Sequence, residues 1–307
     1  MSRKFINLDD GESIFFARQL ESVKAKTYDV VYPELKARAL LPVSSEAGPG
    51  AETIKYEQFD QVGVARIVSS YADDLPRADI KGKEFISNVR SLGAAYGYNL
   101  QEVRAAKMAG KPLQQRRANA AKRAVRQKEN SIAFFGDSTN NIPGFFSNPN
   151  ITSVTLPADG TGASKLWSTK TPAQILRDMN LVANTPISTT LGTHTPDTML
   201  LPVAQYSLVS SSPRSDYSDM TILEYFLENN PFITEVTWLN ELKGAFSSLD
   251  AVFVYKKDPE YVTLEIPQDF EQLPVQERNL EFVVPCHSRI GGVLMYYPLA
   301  AAYGSGI

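Results

Sequence analysis

Ahead of Lys111 the chain lacks any continuous apolar run of the kind a compact core needs. Lys111–Asn130, KPLQQRRANAAKRAVRQKEN, then reads as a long helix rich in arginine and alanine. Before it, Glu12 to Ala25 predicts a short amphipathic helix with Ile14, Phe15 and Leu20 on its apolar side. Pro33, Pro42, Pro49 and the pair Gly48 and Gly50 break the next stretch and favour extended chain. Val30, Val31 and Tyr32 suit a strand added to a neighbour's sheet edge.

From residue 51 the pattern changes. Ile54 and Tyr56 alternate with Thr53, Lys55 and Glu57, a period of two that predicts a strand. VGVARIVSSYA continues it, DDLPRADIKGK makes a polar turn, and EFISNVRSLGAAYGY returns. This is a long hairpin with a polar tip. A projecting two-stranded hairpin is marginal in water, so it needs a surface to lie on. A short helix follows over Leu100–Ala109, and Gly110 and Pro112 separate it from the basic one. That second helix, from about Leu113 to Phe134, would be roughly 33 Å long at the standard rise. Its apolar stripe is thin, namely Ala120, Ala121, Ala124 and Val125.

Beyond it, FFGDSTNNIPGFF predicts turns anchored by Phe134, Phe135, Phe145 and Phe146, and PADGTGASKLWSTKT a polar loop. Thr171-Pro172 starts a helix with Ile175, Leu176, Met179 and Val182 on one face. TPDTMLLP predicts a short buried strand, and VAQYSLVS and TILEYFLENN predict helices. FITEVTWLNEL, AVFVYKK, YVTLEIP and the stretch from Leu280 onward predict strands, which makes the fold class mixed α+β.

At 43% apolar the 307-residue chain can build a sizeable core. No window offers the roughly 18 apolar residues that cross a bilayer, so no membrane partner is expected. Asp9, Asp10 and Glu12 interrupt the N-terminus before a signal-peptide core forms. The one cysteine, Cys286, excludes intrachain disulfides. The net charge of −3 is unevenly placed. Gln101–Asn130 carries nine Lys/Arg and two Glu, a local +7, and Lys257–Glu281 carries two basic and seven acidic residues, a local −5. A basic face pairing with an acidic one, within a subunit or between subunits, is one reading; an ordinary solvated face is the other.

Catalytic chemistry finds little support. Two histidines, His194 and His287, make a multi-histidine metal site implausible. His194 and Asp197 form the best acid–base candidate, on a loop. Cys286 and His287 are neighbours on a predicted strand and point to opposite faces. Gly160–Lys165 lacks phosphate-loop spacing and reads as a flexible surface loop. Asp73 and Asp74 read as acids that keep the hairpin tip wet and block edge pairing. Arg116, Arg117, Lys122, Arg123 and Arg126 lack interleaved aromatics. Contact with nucleic acid there would be to phosphates, without sequence preference. No catalytic residue, cofactor or metal site is therefore expected.

Several long segments resemble the major capsid proteins of tailed bacteriophages with the HK-97-like shell fold. They include TYDVVYPELKARALLPVSSEAGPGAETIKYEQFD, YADDLPRADIKGKEF, YGYNLQEVRAAKMAGKPLQQRRANAAKRAV, FFGDSTNNIPGFF, TPAQILRDMN, TILEYFLENNPFI and EFVVPCHSRIGGVLMYYPLA. The resemblance implies an N-terminal arm over 1–48, an extended loop over 49–90, and a peripheral domain over 91–146 with a spine helix over 113–134. It implies an axial domain over 147–256, a return through the peripheral domain over 257–290, and a C-terminal strand region over 291–307 with no assigned place.

It also implies pentamers and hexamers of one chain closing an icosahedral virion head around double-stranded DNA, assembled in the host cytoplasm. The arm starts almost at residue 1, so a separate scaffolding protein is expected, with a portal and a decoration protein as further partners. Candidate assembly contacts are the loop-tip residues Asp73, Asp74, Arg77, Asp79, Lys81 and Lys83 and the spine residues Arg116, Arg117, Lys122, Arg123 and Arg126. Gly48, Gly50 and Gly82 are candidate hinges. An encapsulin-type nanocompartment shell is the alternative, and a soluble enzyme using His194 and Asp197 is a weaker one.

Overall fold

The computed structural model describes residues 32–62, 79–108, 113–215 and 217–307. Met1–Glu34 form one unit and Leu35–Ile307 a second, compact one, which is the unit described below. The expected helix over Glu12–Ala25, the strand candidate at Val30 and Val31, Asp73, Asp74 and Arg77 of the hairpin tip, and the Gly110–Pro112 break lie outside the described residues.

The proline-rich stretch before residue 48 is not simply extended. Ala37, Leu40 and Leu41 sit at helical spacing and are buried, so a one-turn helix α1 (Ala37–Leu40) forms. Asn130 Oδ1 accepts the Ala37 N–H at 3.0 Å, and the Tyr255 hydroxyl donates to the Leu40 carbonyl at 2.7 Å. Strand β1 (Val43–Ser44) follows. The expectation that this part of the chain lacks burial of its own is thereby corrected for its last residues: three apolar side chains and two capped backbone groups anchor it.

Strands β2 (Thr53–Val62) and β3 (Asp79–Asn88) form the expected antiparallel hairpin. Its return segment breaks at Val89, a buried residue whose N–H donates to the Glu52 carbonyl at 2.8 Å. Strand β4 (Arg90–Asn99) therefore leaves the ribbon and joins another sheet. Helix α2 (Leu100–Met108) and the long helix α3 (Leu113–Phe135) come next. In α3 the buried line is Ala121, Val125, Glu129, Ile132 and Ala133, while Ala120 and Ala124 face outward. The predicted alanine stripe is thus split between two sides of the helix.

Strand β5 (Thr152–Val154) leads to the segment read as a polar loop. It is closed, with Trp167 1% exposed. At Gly160 a Cβ would lie 2.3 Å from Thr169 Oγ1, which corrects the flexible-loop reading there. Helix α4 (Pro172–Thr189) begins with a capping box between Thr171 and Gln174. Strand β6 (Thr198–Leu201), helix α5 (Val203–Ser211), the small ribbon β7 (Pro213–Ser215) and β8 (Ser218–Thr221), and helix α6 (Ile222–Asn229) follow. Thr221 and Glu224 make a second capping box at the start of α6.

The remaining strands are β9 (Glu235–Trp238), β10 (Ala251–Tyr255), β11 (Val262–Glu265), β12 (Gln268–Gln272), β13 (Gln276–Arg278), β14 (Glu281–Ile290), β15 (Gly292–Met295) and β16 (Ala302–Ser305). They build a five-stranded sheet in the order β5-β16-β10-β6-β9 and a three-stranded sheet β1-β11-β15. In a third sheet β14 pairs with β4 along one edge and with β12 and β13 along the other. Gly292, at φ +81, turns β14 into β15 where a Cβ would meet the Pro143 carbonyl at 2.4 Å.

The core lies on both sides of β10. Phe253 and Tyr255 join Phe134, Phe145 and Ile132 in one apolar cluster. Val252 and Val254 join Trp167, Met179, Val182 and Phe226 in the other. Alternation along a strand sends neighbouring residues to opposite faces, so one short apolar run serves both clusters.

Candidate functional site

The β2–β3 ribbon has a packed root and, among the described residues, an exposed far end. On its inward face Tyr56 stacks on Phe85 with ring centres 4.9 Å apart and meets Tyr296 edge-on at 4.9 Å. Burial pushes the Tyr56 and Tyr296 hydroxyls above the usual tyrosine range. Ser87 Oγ donates to the Gly291 carbonyl at 2.9 Å. The other face carries Lys55, which bridges Glu84 at 2.9 Å and Glu57 at 3.2 Å. The hydrogen bond from Glu84, then that from Glu57, raises the Lys55 pKa.

The same outward face exposes Phe59 (64%), Ile80 (64%) and Ile86 (58%). Phe59 lies over Gly82, where a Cβ would come within 3.0 Å of the ring. Gly82 thus stands inside β3, across from Phe59, and gives the ring room. Gly48 sits in a turn at φ +68, and Gly50 has open space around its Cα. Of the predicted tip residues, Asp79 and Lys81 lie at the far end of β3 and Lys83 stands with its ammonium 4.9 Å from the Phe85 ring centre.

On α3 the predicted cations divide. Arg117 makes two 3.0 Å bonds to the Glu102 carboxylate and donates to the Gly97 carbonyl. That guanidinium, with the Asn99 backbone, holds the Glu102 carboxyl below its usual range. Arg126 reaches Glu129 at 3.3 Å and Asp269 at 3.0 Å. Arg38 reaches the same two acids at 2.8 and 2.9 Å. Ser288 Oγ donates to Glu129 at 2.7 Å, so a carboxylate only 3% exposed has three donors. At Arg126 the basic helix therefore meets the acidic region inside one subunit. Arg116 and Lys122 are exposed and Arg123 is half-buried.

The enzyme candidates are not assembled into a site. His194 Nδ1 faces the Tyr261 hydroxyl at 3.4 Å. Burial, then the Lys256 charge, lowers its pKa. The Asp197 carboxylate accepts the Lys257 N–H at 2.9 Å and the Thr198 hydroxyl at 2.8 Å, a structural joint. Among the described residues no hydrogen bond joins His194 to Asp197, and no group of His, Cys, Asp or Glu is arranged to hold a metal. Cys286 is buried in β14. No helix among the described residues is long and apolar enough to cross a membrane.

One charged pair escaped the sequence reading. Lys170 Nζ lies 2.5 Å from Asp178, with both side chains 0% exposed. Lys170 also donates to the Pro157 carbonyl at 2.8 Å, and Arg177 bridges Asp178 and Asp159. The signal was present: Asp178 falls on the apolar face of α4 beside Ile175, Met179 and Val182, where a carboxylate needs a buried partner.

Comparison with known proteins points to a structural protein. A family model described as major capsid protein matches residues 63–307. The capsid of Myoviridae phage XM1 superposes with a TM-score of 0.83 at 14% identity, covering 96% of this chain and 99% of that one. A structure from Mycobacterium phage Ogopogo matches at 0.65 and 10% identity, over 94% and 97% of the two chains. The virus-like particle from Pyrococcus furiosus matches at 0.56 and 13% identity, over 86% and 90%. No curated protein matches significantly by sequence. The fold is the HK-97-like shell fold, and the chain belongs to the major capsid protein family as a structural shell subunit.

Proposed function

We propose that this subunit assembles as pentamers and hexamers into an icosahedral phage head around double-stranded DNA. The observation that carries the reading is the far end of the β2–β3 ribbon. Phe59 and Ile80 are 64% exposed on a two-stranded layer that the other described strands do not join. Such a ribbon is stable only when another surface lies against it. In this reading 49–90 is the loop that reaches over a neighbour, 91–146 and 257–290 form the peripheral domain, and 147–256 the axial domain around the symmetry axes.

Many modest contacts repeated over a lattice give a strong shell while each stays weak enough to correct errors during growth. Contacts with packaged DNA are to phosphates. A separate scaffolding protein and a portal are the further partners, with assembly in the host cytoplasm and the virion as the final location. The encapsulin-type alternative shares the fold. The higher TM-score and coverage of the XM1 capsid than of the Pyrococcus furiosus particle support the phage head.

Negative-stain microscopy of the purified protein, with and without co-expressed scaffold, tests the proposal. Closed particles of uniform diameter are expected. A compact monomer under both conditions contradicts it, and particles that trap a folded enzyme instead of nucleic acid favour the compartment.

A further inference from the structure

We propose that Lys170 and Asp178 become joined through their side chains by an amide bond within one subunit. The proposal goes beyond the shell reading and does not depend on it. Asp178 sits on the buried face of α4 beside Ile175, Met179 and Val182. Lys170 ends the segment that leads into α4 and packs against Gly160, where a Cβ would come within 3.3 Å of Lys170 Cγ. Both side chains are 0% exposed, and Trp167, three residues before Lys170, is buried as well. A primary amine and a carboxyl group thus meet where water is kept out.

The geometry of the pair suits condensation. Lys170 Nζ lies 2.5 Å from Asp178 Oδ2. The carboxyl carbon is one bond further on, so it stands no more than about 3.7 Å from the nitrogen. Bound reactants combine from separations of about 3–3.5 Å. The other carboxyl oxygen, Oδ1, accepts from Arg177 Nε at 3.2 Å and from Nη2 at 2.7 Å. Two charged donors on that oxygen are what a tetrahedral adduct needs, because its negative charge develops there. Nζ also donates to the Pro157 carbonyl at 2.8 Å and faces Asp159 Oδ1 at 3.5 Å. Its three hydrogens thus have three separate acceptors. When the one toward Oδ2 transfers, the lone pair it leaves points at the carboxyl group.

The step consumes one ammonium and one carboxylate and releases one water. An Nζ hydrogen passes to Oδ2 along their hydrogen bond. Nζ then attacks the carboxyl carbon, and the displaced electron pair moves onto Oδ1, where Arg177 holds it. A second Nζ hydrogen leaves by way of the Asp159 carboxylate and reaches Oδ2, which departs as water while the pair on Oδ1 restores the carbonyl. The third hydrogen stays on Nζ as the amide N–H. No oxidant, reductant or further reactant is required. Burial favours the product, since the reverse reaction needs water back in a closed site. Arg177 also bonds both Asp159 oxygens, so the two helper groups hold each other in place. The new bond closes a ring from Lys170 to Asp178 and clamps the start of α4 to the segment before it.

Intact-mass spectrometry of the unaltered protein, denatured after prolonged incubation in the folded state, tests this. Its mass should fall one water short of the sequence mass. Trypsin should leave the chain uncut after Lys170 and yield one branched peptide in which the segments on either side of Arg177 stay joined. Asp178→Ala should restore both the full mass and the cut after Lys170, and Lys170→Met should restore the full mass. The first measurement needs no substitution, so a variant that fails to fold leaves it decisive. The full sequence mass in the unaltered protein overturns the proposal. So does a missing water with normal cleavage after Lys170, which would mark a cyclised Asp159-Gly160 instead. Neither result bears on whether the subunit forms shells, which microscopy reads separately.

Discussion

Strand β10 and the β2–β3 ribbon spend the same residue types in opposite ways. In β10 every residue from Ala251 to Tyr255 is at most 2% exposed, because apolar clusters of the same chain cover both faces. In the ribbon Phe59 and Ile80 keep most of their surface in solvent. One region is finished by its own chain, and the other keeps apolar side chains exposed beside the described residues. On the proposed assembly, the difference separates what holds a subunit together from what joins subunits, and four substitutions can break or sharpen it.

The largest effect is expected at Phe253, which touches Phe145, Phe146 and Tyr255 at the centre of the body. Phe253→Ala should cost about 3–5 kcal/mol in urea titration of dissociated subunits. Asp178→Ala comes next. It leaves the Lys170 ammonium, 0% exposed, without its nearest acid and should cost about 3–5 kcal/mol, read in the same titration. Phe59→Ala should change subunit stability by less than about 0.5 kcal/mol while sharply lowering the yield of closed particles. A subunit cost close to that of Phe253→Ala would break the comparison.

The smallest effect concerns acid. The Arg177 guanidinium pulls the Asp159 carboxyl down to about 2 from the usual 3.8. A depressed carboxyl adds stability above its unfolded value and loses it as the pH falls through the folded one. The melting-temperature gap between the unaltered protein and Asp159→Asn should therefore hold down to about pH 3.8 and close as the pH approaches about 2.

Local signals made much of this fold legible. The alternation around Ile54 and Tyr56 marked β2, and Thr171-Pro172 marked the start of α4 at its capping box. The basic helix was placed to within one residue at its C-terminal end. What escaped depends on contacts distant in sequence. Helix α1 was hidden by Pro33 and Pro42, and it forms because Asn130 and Tyr255 hold it at both ends. The break at Val89 separates two strands that look continuous in sequence, since β3 pairs with β2 and β4 with β14. Arg126 resembled its neighbours on the helix in sequence, and its link to Asp269 depends on a contact far along the chain. Lys170 sat in a polar stretch whose burial depends on α4 and Trp167.

Hydroxyl-radical footprinting of Phe59 in free subunits and in assembled particles tests the central claim most directly. The ring should be readily oxidised in the subunit and strongly protected in the particle, since the proposed assembly lays a neighbouring copy over it. Equal oxidation in the two states would contradict the account.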